Sequence, residues 1–113
     1  MSFAANQKKP KINIPNIIDL RESSVLTKKI QIINKLGLHA RAAAKLVHLS
    51  SRYGSEILLK KNNQKVNGKS IMGVMMLAAS KGTELDVEVT GEDEVAAMEA
   101  VENLIANRFG EAE

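Results

Sequence analysis

The sequence predicts an α+β domain, an open-faced sandwich in the order β-α-β-β-α-β-α, with a four-stranded antiparallel sheet and three helices on one face. Three observations carry that prediction. Short alternating segments, clearest in Glu84-Leu85-Asp86-Val87-Glu88-Val89-Thr90, mark strands with one buried and one wet face, which favours antiparallel pairing. Between them lie stretches with apolar residues at helical spacing. A chain of 113 residues that is 44% hydrophobic has room for one small core, and 3% aromatic content implies that this core is aliphatic.

The first strand is expected over Lys28 to Ile33, with Ile30 and Ile32 on one face. A loop at Gly37 leads into a helix from Ala40 to Tyr53, where Ala43, Leu46, Val47 and Ser50 share a face and Gly54 lies just past the end. Glu56 to Lys61 reads as a strand with Ile57 and Leu59 facing inward; Asn62-Asn63 then turns the chain into a short strand, Gln64 to Asn67. Ser70 is a good N-cap for a helix running to about Ala79, with Val74, Leu77 and Ala78 towards the sheet. After Lys81-Gly82 comes the strand Glu84 to Thr90, and Thr90 to Asp93 supplies caps for a last helix in which Ala97, Val101, Leu104 and Ile105 share a face.

Residues 1–26 differ from this body. They are polar and basic at first, interrupted by Pro10 and Pro15, and offer at most one helical turn at 16–22. We expect a flexible N-terminal extension at 1–26 and a domain at 27–113. The longest apolar run, Val74 to Ala79, is too short to span a bilayer, so membrane insertion is not expected. There is no cysteine, which excludes disulfides and thiolate metal sites and suits a reducing cytoplasm. Of the net charge of +3, the extension contributes four basic and two acidic residues, leaving the domain nearly neutral at twelve and eleven. With Phe3, Tyr53 and Phe109 as the only aromatics, there is no stacking surface for nucleic acid, and none is expected as a partner.

Chemistry concentrates in two segments. In Gly37-Leu38-His39-Ala40-Arg41, a histidine stands immediately before a helix whose first N–H groups lack intrahelical partners and whose dipole favours anions. An anion on the His39 ring would find those donors and the Arg41 guanidinium within reach, and a neutral imidazole is a competent nucleophile. A merely polar residue at a loop–helix junction fits the same pattern, and a single residue favours that plainer reading. His48, mid-helix and without a glycine loop, reads as a surface residue. The nine-residue separation of His39 from His48, with no carboxylate between, argues against a metal site.

The second segment, Ser70-Ile71-Met72-Gly73-Val74-Met75, is apolar or glycine after Ser70, and the run continues to Ala79. A short helix on a sheet buries only a stripe, which leaves Ile71, Met72 and Met75 either facing solvent as a docking patch or covered by the last helix. Glu92-Asp93-Glu94 reads as a helix-start charge cluster, and Lys60-Lys61 as a solvated strand end.

Gly37-Leu38-His39-Ala40-Arg41 resembles the active-site signature of the HPr family, the histidine-containing phosphocarriers of the bacterial phosphotransferase system, and Gly68 to Met75 resembles that family's regulatory-serine segment. The likeness covers about residues 27–113 and includes the element order. It implies an HPr-like sandwich in which His39 takes a phosphoryl group on Nδ1 from enzyme I and passes it to an enzyme IIA component, for sugar transport or in the nitrogen-related branch. Arg41 would assist the phosphate. Ser70 would be the site modified by HPr kinase/phosphorylase, and Ile71, Met72 and Met75 would belong to the docking face. A monomer without cofactor or metal is implied. The alternative is a regulatory binding module controlled mainly by phosphorylation at Ser70. Where the family usually has proline after the arginine, this chain has Ala42, a good helix former that leaves the first turn less rigid.

Overall fold

The computed structural model describes residues 25–113, so the N-terminal extension, with its candidate turn at 16–22, lies almost wholly outside the described residues. Strands β1 (Leu26–Gln31), β2 (Glu56–Lys61), β3 (Gln64–Asn67) and β4 (Glu84–Thr90) form one sheet in the order β1-β4-β2-β3, with every neighbouring pair antiparallel. Helices α1 (Ala40–Ser50), α2 (Ile71–Met76) and α3 (Glu94–Ala106) complete the expected β-α-β-β-α-β-α order, and a single 3-10 turn, Arg108–Gly110, follows. The strict alternation of β4 puts Leu85, Val87 and Val89 in the core, while Asp86 and Glu88 on the other face accept hydrogen bonds from Lys29 and Lys65. Asn62 takes the left-handed conformation that an asparagine tolerates in a tight hairpin turn, and this closes β2 onto β3.

The helices cover the buried face. α3 packs on β1 and β4, α2 on β3, and α1 on both other helices. Small side chains at Ala42 and Ala43 bring α1 in closely. In α3 the buried residues are Ala97, Met98, Val101 and Ile105, with Leu104 at the edge of the cluster. The core is not purely aliphatic: Phe109, fully buried, is its largest side chain.

Local expectations give way in four places, the first being β1, which runs from Leu26 to Gln31 rather than from Lys28 to Ile33. The first helix stops at Ser50 and the chain reaches Tyr53 through turns. The helix after Ser70 stops at Met76, because Lys61 Nζ donates to the carbonyls of Leu77 (3.0 Å) and Ala78 (3.2 Å), and Ala78 adopts a left-handed conformation. Ala78 is therefore exposed rather than turned to the sheet, and Lys61 is a cap rather than a free strand end. Asp93 stands at the N-cap position of α3 but its carboxylate does not cap. It accepts from the amides of Gly54 and Ser55 (2.9 Å each) and from the Ser55 hydroxyl, tying α3 to the start of β2. Those bonds, the Ser55 hydroxyl first, hold its pKa below the usual aspartate value.

Candidate functional site

The loop from Asn34 to Leu38 delivers His39, and its shape depends on Gly37. That residue has φ of +66°, and a Cβ there would overlap the backbone of Ala79 and Ser80, whose Cα would lie 2.8 Å away. Leu38 then donates its amide to the Ala79 carbonyl (2.8 Å) and buries its side chain. The chain leaves this anchor with His39 as the N-cap residue of α1, in extended conformation, and its carbonyl accepts from the Ala43 amide (2.8 Å). The amides that follow are the ones a helix leaves without internal partners. His39 makes no side-chain cap, so its ring is free for other bonds, and its side chain keeps 24% of its surface exposed.

The ring's partner is Glu111, from the segment after α3. Nε2 of His39 meets Glu111 Oε2, while Glu111 Oε1 accepts from Asn34 Nδ2 (3.0 Å). An ionised carboxylate only accepts, so Nε2 carries the proton and, in the neutral ring, Nδ1 holds the lone pair. The Asn34 amide and then the His39 ring hold the Glu111 carboxyl below the usual glutamate range against the opposing effect of burial, and the charge of Arg41 adds to this. Arg41 itself is exposed. With Lys35, Leu36 and Glu111 it lines an open concavity of about 310 Å³.

The C-terminal segment is fixed by several independent ties. Phe109 is buried, its carbonyl accepts from Lys45 Nζ (2.7 Å), and the Lys35 amide donates to the Glu113 carbonyl. Ser70 caps α2, its Oγ accepting from the Gly73 amide (3.1 Å). Beyond it Ile71, Met72 and Met75 are exposed, Met72 at 71%, and Met76 joins them, so α3 does not cover this patch. The structure thus groups His39 with Arg41 at the start of α1. Ser70 and the patch belong to α2, which packs on α1 but takes no part in the hydrogen bonds of the histidine. His48 lies exposed.

Residues 26–107 match the family model described as the phosphotransferase-system HPr component phosphorylation site. The chain belongs to the HPr family. It is 54% identical over 89 residues to the phosphocarrier protein HPr of Neisseria meningitidis serogroup A, covering 79% of this chain and all of that one. The HPr of Cupriavidus necator is 53% identical over 89 residues, with the same coverage. Among solved structures, HPr-C-His from Thermoanaerobacter tengcongensis is similar with a TM-score of 0.75 and 44% identity, over 78% of this chain and 99% of that one. This HPr-family chain is therefore a phosphocarrier of the phosphotransferase system, with the family's antiparallel sheet and three helices.

Two side chains at the site escaped the sequence reading, Asn34 and Glu111. Asn34 is fully buried beside the loop, and Glu111 is brought to the histidine from 72 residues away. The one available signal for Glu111 was Phe109, a large aromatic in an otherwise polar tail, which marks a segment that has to fold back onto the core. Among the described residues no group of three or more His, Cys, Asp or Glu is placed to hold a metal ion, and no helix is long and apolar enough to cross a membrane.

Proposed function

We propose that this phosphocarrier takes a phosphoryl group from enzyme I on Nδ1 of His39 and passes it to an enzyme IIA component. The observation that carries this reading is the Glu111 carboxylate on Nε2 of His39. It leaves Nδ1 as the nucleophilic nitrogen, at the N-cap of a helix whose first amides suit an anion. Attack by Nδ1 forms the nitrogen–phosphorus bond as the bond to the donor breaks, and the acceptor reverses the exchange at its own nucleophile. Arg41, exposed beside the site, balances charge on the phosphoryl oxygens during both transfers. Ile71, Met72 and Met75 form the apolar face on which successive partners dock, and their exposure supports this. The working unit is the sandwich domain, expected from residue 27 and beginning in the fold with Leu26 of β1, acting as a monomer in the cytoplasm.

Ser70 is the proposed second phosphorylation site, modified by HPr kinase/phosphorylase. It directly precedes the exposed Ile71 and Met72, so a phosphate there adds charge at the rim of the docking face and weakens enzyme I binding. A chain controlled mainly through Ser70 would take acid-stable label from ATP and the kinase, and none from enzyme I. Incubation with enzyme I and phosphoenolpyruvate, followed by intact mass before and after acid, tests the main reading. We expect one acid-labile phosphate, absent in His39→Ala; label retained in that variant removes His39 from the relay.

A further inference from the structure

We infer that Asn34 is a positioning residue for phosphoryl transfer: it holds Glu111, and Glu111 in turn fixes the tautomer and orientation of the His39 ring. This rests on the reading of His39 as the phosphoacceptor. Asn34 is fully buried and uses both hydrogens of its amide, one on the Gly37 carbonyl (2.9 Å) and one on Glu111 Oε1 (3.0 Å). A single side chain therefore grips both the backbone that delivers His39 and the carboxylate that accepts the hydrogen bond from its Nε2. Its orientation is not interchangeable, because turning the amide over would set its oxygen against two acceptors.

The other end of that amide shows what it serves. Asn34 Oδ1 has no hydrogen-bond partner among the described residues. An asparagine retained for satisfied burial would use both ends, whereas this one uses only the end that faces the site. Without it, nothing else in the loop donates to Glu111 Oε1, and the carboxylate is free to turn towards Arg41 or solvent. The backbone of the segment would stay in place, because Lys35 and Lys45 hold it at Glu113 and Phe109 independently. Loss of Asn34 thus acts on one rotamer rather than on the tail as a whole.

The consequence is a statement about proton location. A neutral imidazole without a fixed partner exchanges between two tautomers and turns about its own bonds, and only the form with the proton on Nε2 presents a lone pair at Nδ1. At metal sites, groups that hold a ligating histidine's other nitrogen typically matter about tenfold or more when removed, and a loss of the same order is expected for this metal-free ring.

The test uses the full chain with 15N-labelled histidine, at a pH where the ring is neutral. Wild type is expected to show Nε2 protonated and Nδ1 bare, and Asn34→Ala and Glu111→Ala to give averaged nitrogen shifts. In transfer from phosphorylated enzyme I, each variant should lose about tenfold in kcat with KM within about twofold, and the double variant should be no slower than Glu111→Ala alone, since Asn34 acts through Glu111. Glu111→Ala tests the link from its partly exposed end and leaves the buried Asn34 in place. Unchanged nitrogen shifts in either variant, or losses that multiply in the double variant, overturn the inference. A wild-type chain that takes no phosphate from enzyme I overturns the proposed function, and with it the kinetic half of this one; normal wild-type transfer with unchanged shifts in Asn34→Ala overturns this inference alone.

Discussion

Replacing Gly37 with alanine isolates how the loop presents His39. Two costs are expected. A non-glycine residue at φ of +66° meets the steric penalty of the left-handed region, about 1–2 kcal/mol. The added Cβ would also overlap the Ala79 carbonyl and lie 2.8 Å from Ser80 Cα. Both are backbone atoms and have no rotamer by which to move aside. The loop has to shift instead, at the expense of the hydrogen bond from Leu38 to Ala79 (2.8 Å), worth about 1 kcal/mol. Reduced freedom of the unfolded chain returns about 0.4–1 kcal/mol. We expect a net loss of about 1–2.5 kcal/mol, which in a domain of this size lowers Tm by about 5–20 °C.

Gly82→Ala is the matched control. Gly82 also has positive φ, +92°, but a Cβ there meets nothing within 4 Å. It carries the conformational cost without the collision, so its loss should stay near about 1 kcal/mol. Urea titrations of both variants give the two free energies, and their difference measures the crowding against Ala79 and Ser80. Phosphoryl uptake from enzyme I should fall in Gly37→Ala and persist in Gly82→Ala, measured where both are folded. Equal losses within about 0.5 kcal/mol would refute the claim that close backbone approach, rather than turn geometry alone, requires this glycine.

Phe109→Ala should cost about 3–5 kcal/mol by emptying a fully buried site, and hydrogen exchange should show residues 107–113 opening first; exchange unchanged in that segment would contradict its role as an anchor. Ser70→Ala removes the bond to the Gly73 amide and should lower stability by about 1 kcal/mol in thermal melts, with transfer to His39 retained. For Glu111, whose carboxyl is held below its ordinary value in the folded state, stability is gained above the unfolded value of about 4.3 and lost as pH falls through the folded one. The stability gap between wild type and Glu111→Gln should therefore be constant near neutrality and shrink below about pH 4.3, read from urea midpoints; a gap that stays level into acid would show the carboxylate to be unperturbed.

What the sequence revealed and what it concealed divide along the distance between interacting residues. The bounds of β2, β3 and β4 were legible because alternation and an Asn-Asn turn are local properties of Glu56–Lys61, Gln64–Asn67 and Glu84–Thr90. The end of α2 was not, because Lys61 sets it from another element. His39 was visible for the same local reason as the strands: a glycine before it and a helix after it lie in consecutive residues. Its partner Glu111 lies 72 positions away, in a stretch whose composition suggests only a polar end. Asn34 was hidden differently, since an asparagine in a loop has the same sequence signature whether it faces water or, as here, is wholly enclosed. The proposed phosphoacceptor was thus visible in consecutive residues, whereas the groups that bond its ring, Glu111 and through it Asn34, came together only through the fold.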